Sequence, residues 1–357
     1  MGNKRIVSSR GAGIRPPNRF TGRSHAVPLD LIDPDPDDPP RHPATQFSPD
    51  RSRTVVSENH SPDVGFRYSL NPYRGCEHGC SYCYARPTHE YLGLDAGLDF
   101  ETRIAVKHDA PTLFRGFLAR DQWEPHVIAL SGVTDPYQPC EREFGITRRC
   151  LEVASAAGQP MTIVTKNPLV VRDIDILGPM AERGLVHVNV SVTTLDPALA
   201  RAMEPRAGAP AARLRAIRAL ADAGVPVRVL VAPVIPGLTD SELPAILAAA
   251  KEAGARAAGS ILLRLPLTVA PVFLDWLDRT FPDRKGKVLA RIRDVRDGKL
   301  NDATFGRRMT GTGEFAEQIA ALFRVFARRH GLDGGLPPYD YSHFRHPPDA
   351  RGQGRLF

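Results

Sequence analysis

Residues 161–192 read MTIVTKNPLVVRDIDILGPMAERGLVHVNVSV, and this stretch decides the fold class. Its two ends, MTIVT at 161–165 and VHVNVSV at 186–192, are rich in apolar residues, which is typical of strands buried on both faces. The amphipathic stretch between them predicts a helix over residues 173–183. A strand, a helix and a second strand in this order predict a parallel βαβ unit.

The same alternation continues on both sides of this stretch, and it gives six βα units in total. The expected strands cover residues 66–70, 126–131, 161–165, 186–192, 225–233 and 260–266, and the expected helices cover 112–120, 147–157, 173–183, a segment from 210, 241–253 and 271–281. Six units fall short of the eight that close a full TIM barrel. The predicted fold is therefore α/β, a partial (β/α)6 TIM-like barrel, with a doubly wound open sheet as the alternative.

The two ends of the chain differ from this barrel region. Residues 1–53 contain nine prolines and no apolar periodicity, so we expect a disordered N-terminal arm. Residues 54–283 form the predicted barrel, and residues 284–357 form a basic helical C-terminal extension with a flexible tail. Residues 284–357 carry 15 Lys or Arg against 8 Asp or Glu, whereas the preceding residues carry 32 of each, so the whole net charge of +7 lies in this extension.

Composition and cysteine content indicate the cellular compartment of the protein. No apolar run approaches the roughly 18 to 20 residues that a membrane span needs, and the sequence start has no apolar signal core. Five cysteines, three of them within eight residues, do not suit a disulfide framework. We therefore expect a cytoplasmic protein with a metal site and no membrane partner.

The metal site is expected in the loop that follows the first barrel strand. Cys76, Cys80 and Cys83 are separated by three and then two residues, at the end of the barrel where βα loops carry the reactive groups. Structural zinc needs four ligands, and Cys140, Cys150 or His78 could supply the fourth. Three thiolates on an iron–sulfur cubane instead leave one iron open to bind a small molecule.

The CxxxCxxC spacing, with an aromatic residue before the last cysteine, resembles the signature of the radical S-adenosylmethionine superfamily. The segments NPYRGCEHGCSYCYARPTHEYLGLDAGLDFE, TDPYQP, TKNPLVVRDIDIL, SVTTLDPALARAMEPRA, APVIPGLTDSE and RLP are similar to its spore-photoproduct-lyase-like group, often labelled DNA repair photolyases. The similarity covers roughly residues 53–330.

This resemblance implies a 4Fe-4S cluster on Cys76, Cys80 and Cys83, with S-adenosyl-L-methionine on the fourth iron. The cluster would cleave S-adenosylmethionine reductively to methionine and a 5′-deoxyadenosyl radical. A low-potential donor such as flavodoxin or ferredoxin would supply the electron. The implied S-adenosylmethionine contacts are Tyr82, Thr134, Asp135, Lys166, Ser191, Thr193 and Gly237.

Local packing explains several of these residues as well. Asp135 precedes a proline and suits a turn, although an anionic side chain also suits the methionyl ammonium group. Lys166, Ser191 and Thr193 follow or end strands, where capping is common. The charged residues Glu204, Arg206 and Arg264 next to predicted strand ends fit surface ion pairs equally well.

Cys140 is a candidate catalytic residue, because the similar lyases return a hydrogen atom from a thiol in the barrel. It stands five residues after Asp135, which is not the position expected for that donor, and it could instead be a small apolar residue. Cys150 falls inside a predicted amphipathic helix and is expected in the core.

The basic C-terminal region suggests nucleic acid as a partner. Arginines interleaved with Tyr341 and Phe344 could bind phosphates and stack on bases, or could form a cap on the barrel. Residues Gln353 to Phe357 resemble the short peptide with which bacterial DNA repair proteins dock on a sliding clamp.

The sequence thus predicts a radical S-adenosylmethionine enzyme that acts on nucleic acid, possibly a DNA lesion. Radical modification of RNA or of a protein side chain is the second interpretation. A non-catalytic, zinc-stabilised nucleic-acid adaptor is the third.

Overall fold

The computed structural model describes residues 10–22 and 44–348. Its strands are β1 (Gln46–Pro49), β2 (Val56–Glu58), β3 (Tyr68–Leu70), β4 (Tyr73–Arg74), β5 (Arg103–Val106), β6 (Ile128–Leu130), β7 (Met161–Thr165), β8 (Val186–Ser191), β9 (Val227–Val234) and β10 (Ala257–Leu262).

The α-helices are α1 (Leu98–Thr102), α2 (Ala110–Leu118), α3 (Glu141–Phe144), α4 (Ile146–Ala157), α5 (Ile174–Glu182), α6 (Pro197–Met203), α7 (Pro210–Asp222), α8 (Leu243–Glu252), α9 (Val269–Thr280), α10 (Pro282–Asp294) and α11 (Glu314–Arg329). Short 3-10 helices cover Arg86–Leu92, Pro168–Asp173 and Asp240–Glu242. Within the described ranges, none of the helices combines the length and the apolar character that a membrane span requires.

The main sheet confirms the partial barrel. Its six parallel strands lie in chain order, β3, β6, β7, β8, β9 and β10, and β2 pairs antiparallel with β3 at the edge. A doubly wound sheet would reverse its strand order at a switch point, and no such reversal occurs in this sheet. The carboxyl ends of all six parallel strands therefore meet at one face of the barrel.

Apolar periodicity explains the positions of the helices. Strands β6 and β8 are buried along their whole length, while Ile146, Leu151 and Ala154 place one buried stripe of α4 on the outside of the sheet. The expected helix over 173–183 is found as α5, and the expected strand at 161–165 is found as β7 with the same bounds.

The predicted disordered arm differs from the structure in its described parts. Residues 44–50 contain β1, which pairs in parallel with β5 in a small sheet of order β1-β5-β4. Residues 10–22 pack on the barrel without strand or helix, and Arg10, Ala12 and Asn18 in this segment are buried. The physical reason is that hydrogen bonds to buried carboxylates hold this segment, and such bonds leave no hydrophobic pattern in the sequence.

The residues of the C-terminal extension that follow α11 close the end of the barrel opposite the cysteine loop. Helices α10 and α11 pack beside α9 and α8, and the residues after α11 cross the ends of the strands far from the cysteine loop. Here the Tyr339 ring lies 4.0 Å from the His187 ring, centroid to centroid, and the Arg345 amide donates to the Ala157 carbonyl at 2.8 Å. Phe344 is also buried. The residues after α11 therefore form a cap on the barrel, which was one of the two interpretations of this segment.

Candidate active site

Three free thiols lie in one loop after β3, at the carboxyl end of the barrel. Cys76 and Cys80 are buried and Cys83 is partly exposed. The Cys76 amide donates to the Phe100 carbonyl at 2.9 Å, and the Cys83 amide donates to the Cys80 carbonyl at 3.2 Å. Backbone hydrogen bonds thus fix where the thiols stand.

The three thiols form one electrostatic group. Burial is the largest cause of shift for each of them, and it raises the pKa of all three. The negative charges of Asp135 and of the thiolates of Cys80 and Cys83 raise the pKa of Cys76 further. Metal ions bind thiolates, so a cation bound here would offset the cost that burial and mutual repulsion impose.

The arrangement of ligands suits a cluster better than a single ion. The described residues contain no group of three or more His, Cys, Asp or Glu side chains that could hold one metal ion. On a cubane, by contrast, each of three thiolates binds a different iron, so the sulfur atoms need not converge on a point. The donor set of this loop therefore fits an iron–sulfur cluster.

The residues considered as a fourth zinc ligand have other partners. The His78 ring lies 3.3 Å from the Asp135 carboxylate through Nδ1 and 3.2 Å from the Asn167 amide nitrogen through Nε2. Cys150 is fully buried in α4 within the main apolar core. His78 is held by polar partners and Cys150 by apolar packing. Neither is placed as a fourth zinc ligand, which does not favour the zinc-stabilised adaptor.

Asp135 joins several elements at the barrel end. Its carboxylate accepts hydrogen bonds from the Thr165 hydroxyl at 2.7 Å and from the Lys166 amide at 2.8 Å, besides its contact with His78. Burial alone would raise the pKa of Asp135, but His78 and these hydrogen bonds hold the pKa below its usual value. The backbone of Asp135 in turn lowers the pKa of Cys76 against the larger effect of burial. Asp135 thus fixes the cysteine loop against the end of β7.

Thr134 has a similar bridging position. Its hydroxyl donates to the Gly75 carbonyl at 2.6 Å and accepts from the Gln138 amide at 2.9 Å. Gln138 also accepts from the Glu77 amide at 2.9 Å, so the loop after β6 holds both ends of the segment around Cys76.

Tyr82 and Thr193 share a buried carboxylate. Both hydroxyls donate to Oε1 of Glu204, and the Thr193 bond is 2.9 Å long. Arg213 forms a buried ion pair with Oε2 of the same carboxylate. The sequence left Glu204 open between a role at the strand ends and a surface ion pair. It is buried instead of exposed, because Arg213, which the sequence did not single out, neutralises its charge inside the protein.

Lys166, Ser191 and Gly237 lie at the ends of three successive strands. The Lys166 ammonium is 5.8 Å from the centre of the Tyr82 ring, and its positive charge lowers the pKa of Cys80 and Cys83 against the larger effect of burial. Ser191 is buried and its carbonyl accepts from Arg213 at 3.1 Å. Gly237 has a φ of 76° and faces Arg291 of α10, so its positive φ serves a turn.

Cys140 lies behind the cysteine loop. Its amide donates to the Glu77 carboxylate at 2.7 Å, and burial followed by the charges of Glu77 and Glu141 raises the pKa of its thiol. The side chain packs in the main apolar core at the start of α3. These surroundings are those of a packed thiol, and its role as a hydrogen-atom donor stays a prediction.

Two exposed aromatic rings with two guanidinium groups lie at the same end of the barrel. Tyr84, which follows Cys83, is 53% exposed, and the Arg264 guanidinium stands 5.8 Å from its ring. Phe305 is 56% exposed, and Arg308, which is ion-paired with Asp63, stands 4.6 Å from its ring. We call Tyr84, Arg264, Phe305 and Arg308 the mouth patch. Rings and cations of this kind suit stacked bases and phosphates.

The predicted clamp-binding peptide, Gln353 to Phe357, lies outside the described residues.

Comparison with known proteins identifies the family of the chain. The radical SAM superfamily model matches residues 70–250. The uncharacterized protein Rv2578c of Mycobacterium tuberculosis is 40% identical over 232 residues, which are 64% of this chain and 67% of that protein. The uncharacterized protein MJ0683 of Methanocaldococcus jannaschii is 28% identical over 178 residues, or 50% of this chain and 64% of that protein.

Solved structures share the fold. A cysteine-to-serine variant of spore photoproduct lyase is similar at a TM-score of 0.55 and 17% identity, over 80% of this chain and 78% of that chain. A variant of that lyase with bound AdoMet and dinucleoside spore photoproduct has a TM-score of 0.54 at 16% identity, over the same shares. With a family match across half of the sequence and a fold shared with a radical SAM enzyme, the chain belongs to the radical SAM superfamily and is a radical SAM enzyme.

Proposed function

We propose that this enzyme binds a 4Fe-4S cluster on Cys76, Cys80 and Cys83 and acts with S-adenosylmethionine on nucleic acid, in a lyase reaction of the spore-photoproduct-lyase type. The observation that carries the proposal is the set of three free thiols, two buried and one partly exposed, in one loop at the carboxyl end of the barrel. When bound, such a cluster supplies the electron that cleaves S-adenosylmethionine to methionine and a 5′-deoxyadenosyl radical.

The chain's own residues would bind and enclose the two cofactors. Lys166 carries a positive charge beside Cys80 and Tyr82, where it suits the carboxylate of the methionyl group. Tyr82 presents a ring at the cysteine loop, and Thr193 and Glu204 hold that ring in place through its hydroxyl. Thr134 and Asp135 fix the loop backbone, while Ser191 and Gly237 line neighbouring strand ends. Burial of these groups would exclude water from a reactive radical.

Support for a nucleic-acid substrate comes from the mouth patch. Its two rings are more than half exposed and can stack bases, and Arg264 beside Tyr84 suits a phosphate, whereas Arg308 beside Phe305 is ion-paired with Asp63. The structurally similar lyase binds a dinucleoside photoproduct. Flavodoxin or ferredoxin as electron donor, and a sliding clamp bound through Gln353 to Phe357, are further proposals that rest on the sequence.

The experiment is an anaerobic assay of the reconstituted full chain with a reductant and S-adenosylmethionine, in which 5′-deoxyadenosine is measured. We expect product from the wild type, and we expect Cys80→Ala to fall to the level of iron-free protein because one iron loses its ligand. Cys150→Ala is the matched control, since it removes a buried free thiol outside the loop and should keep iron and activity.

Substrate class is tested in the same assay by adding ultraviolet-irradiated DNA, untreated DNA, RNA or protein. Greater 5′-deoxyadenosine formation with irradiated DNA than with untreated DNA supports lesion repair. Stimulation by RNA or protein alone would move the radical step to a modification reaction. Zinc in the purified wild type without iron uptake would contradict the cluster.

A further inference from the structure

Residues 10–22 pass directly behind the cysteine loop, and we call this segment the N-terminal clasp. Neither a helix nor a strand forms within it, but Arg10, Ala12 and Asn18 are buried. A segment with so little regular structure stays in place only through specific contacts. Those contacts converge on the residues that surround the thiols.

Glu101 is the centre of these contacts. Its fully buried carboxylate accepts the Gly11 amide at 3.0 Å through Oε2 and the Ala12 amide at 2.8 Å through Oε1. Oε1 also accepts the Arg86 guanidinium at 2.5 Å, in an ion pair from which both side chains are excluded from solvent. Without the clasp amides, this carboxylate would lose two of its hydrogen bonds in a buried position, which is costly.

Arg86 carries the connection from Glu101 to the thiols. Its Nε and Nη2 donate to the Cys80 carbonyl at 3.0 and 2.8 Å, and its Nη1 donates to the Ala96 and Gly97 carbonyls at 3.0 and 2.9 Å. The backbone at Cys80 is therefore held by a guanidinium whose orientation depends on Glu101 and, through it, on the clasp.

The clasp also touches the cysteine loop directly. A Cβ on Gly11 would lie 1.7 Å from the Gly79 carbonyl oxygen, so the two backbones meet where only glycine fits. Gly79 stands immediately before Cys80, and a Cβ there would lie 2.5 Å from the Glu101 carboxylate. The loop between Cys76 and Cys80 is thus confined between the clasp and Glu101.

Two further side chains anchor the clasp along its length. Arg15 donates to Asp95 at 2.8 Å and to Asp99 at 2.6 Å, both buried carboxylates. Asn18 donates to the Glu90 and Leu94 carbonyls at 2.8 and 2.9 Å. These anchors attach the clasp to the segment that follows the cysteine loop.

Helix α9 closes the other side of the clasp. Arg279 donates to the Gly11 carbonyl at 3.3 Å, and a Cβ on Gly13 would lie 2.6 Å from its Nε. The Thr268 hydroxyl, at the start of α9, donates at 3.1 Å to the Glu90 carboxylate that also holds Arg19. The clasp is therefore sandwiched between the cysteine loop and the last helix of the barrel.

We propose that the N-terminal clasp is a positioning element of the cluster site, with Gly11, Glu101 and Arg86 as its positioning residues. It holds the backbone from Cys76 to Cys83 in the conformation that presents the thiols together. This inference rests on the proposed function for the nature of the ligand, but the constraint on the loop exists in the chain itself.

The first test is Gly11→Ala, because the backbone of Gly11 needs no positive φ and the added methyl group acts through its contacts with the cysteine-loop backbone at Gly79 and Ser81. Hydrogen–deuterium exchange of the iron-free full chain is measured over residues 76–86 and over β7 and β8. We expect loop amides such as Cys76 and Ser81 to exchange at least tenfold faster, with β7 and β8 unchanged. Gly65→Ala is the matched control, since a Cβ at Gly65 meets nothing within 4 Å.

The second test measures cluster retention in the reconstituted protein, as the rate of iron loss to a chelator. Gly11→Ala should lose iron at least tenfold faster than wild type. Asn18→Ala, which touches no residue of the cysteine loop, should show an increase of about threefold from the weakened anchor.

The outcomes separate the two proposals. If loop exchange and iron loss in Gly11→Ala stay within twofold of wild type, the clasp proposal is wrong, whatever Cys80→Ala does. If no variant and not even the wild type takes up iron, the proposed function fails, and exchange in the iron-free chain still decides whether the clasp holds the loop. A Gly11→Ala protein that does not fold would be replaced by Asn18→Ala, whose faster loop exchange supports the clasp and whose unchanged exchange contradicts it.

Discussion

The clasp at residues 10–22 and the cap formed after α11 both close an end of the barrel, but they do so with different chemistry. The clasp uses charged side chains, backbone amides and a contact between two glycines. The cap uses an aromatic pair, one buried phenylalanine and backbone hydrogen bonds to the end of α4 and to the turn before β8. Directional bonds fix positions, whereas apolar packing mainly excludes water. The difference indicates that the backbone at the clasp end needs accurate positioning, whereas the cap end needs only to exclude water.

The cap contacts illustrate the second kind of closure. The Asp340 amide donates to the Gly184 carbonyl at 3.0 Å, and a Cβ on Gly158 would lie 2.2 Å from the His343 carbonyl oxygen. The loops before β7 and β8 are covered in this way, and Phe344 packs into the main apolar core. Substitutions at this end should therefore change stability without changing the cluster.

The largest effect is expected for Arg86→Ala at the clasp end. Removing the guanidinium leaves Glu101 buried without its ion pair, which should lower the free energy of unfolding by about 3–5 kcal/mol. The measurement is denaturant unfolding, together with iron content. Arg103→Ala is the control, since Arg103 is 41% exposed in its contact with Asp99, and it should cost less than about 1 kcal/mol. Equal losses of unfolding free energy in the two variants would contradict a larger contribution from the buried ion pair.

Phe344→Ala tests the cap end. The ring is 9% exposed, so its removal should lower the free energy of unfolding by about 3 kcal/mol while the iron content per folded protein stays that of wild type. Thermal or denaturant unfolding and iron analysis of the same sample give both values. Tyr341→Ala, at a ring that is 42% exposed, should have little effect on either. Iron loss in Phe344→Ala would mean that the two ends are coupled.

A smaller effect is expected from acid at the cap end. Burial, helped by the charge of Arg228, lowers the pKa of His187 to about 4. Between about pH 6.5 and 4, His187 is protonated in the unfolded chain but stays neutral in the folded chain. The free energy of unfolding therefore falls with pH, by at most about 1.4 kcal/mol per pH unit. His187→Gln should remove part of this fall. Parallel pH profiles of unfolding for the two proteins would contradict the assignment.

The smallest effect is expected at the mouth patch. Phe305→Ala should leave stability unchanged and weaken binding of single-stranded DNA about fivefold to tenfold, since one stacking surface is lost. Fluorescence anisotropy at fixed salt measures this affinity. Tyr341→Ala is the matched exposed aromatic at the opposite end, and it should bind as wild type does. Equal weakening in both variants would mean that nucleic acid does not prefer the mouth.

Most of the barrel could be predicted from the sequence. Apolar runs gave β7 with its observed bounds, and they placed the start of α4 within one residue and that of α8 within two. Strands and helices that pack in this barrel have a periodic pattern of apolar residues, and the sequence shows this pattern directly. The small sheet of β1, β4 and β5 was missed, because its strands have two to four residues and show no clear alternation.

The clasp was missed for a different reason. Its arginines, glycines and prolines are the composition of a disordered segment, and only the buried carboxylates of Glu90, Asp99 and Glu101 make its order possible. The sequence does not show which acidic residues are buried. A signal was nevertheless present, since these three carboxylates stand in the stretch that carries the resemblance to the lyase group.

At the site, the thiols could be predicted and their supports could not. Cys76, Cys80 and Cys83 have a spacing that few other functions require. The pairs Arg86 with Glu101 and Arg213 with Glu204 join residues that are 15 and 9 positions apart, and each is buried by parts of the chain distant in sequence. The contact of Asp135 with S-adenosylmethionine stays a prediction, while the hydrogen bonds of its carboxylate with Thr165 and Lys166 and its contact with His78 could not be read from the sequence.

The sandwich of the clasp between the cysteine loop and α9 has a consequence for the order of synthesis. The clasp leaves the ribosome before the thiols, Glu101 follows them, and Thr268 and Arg279 are made last. During translation there is therefore an interval in which all three cysteines have been made but their enclosure is incomplete. The sandwich of the cysteine loop, the clasp and α9 is therefore complete only after Arg279 has been made, late in synthesis.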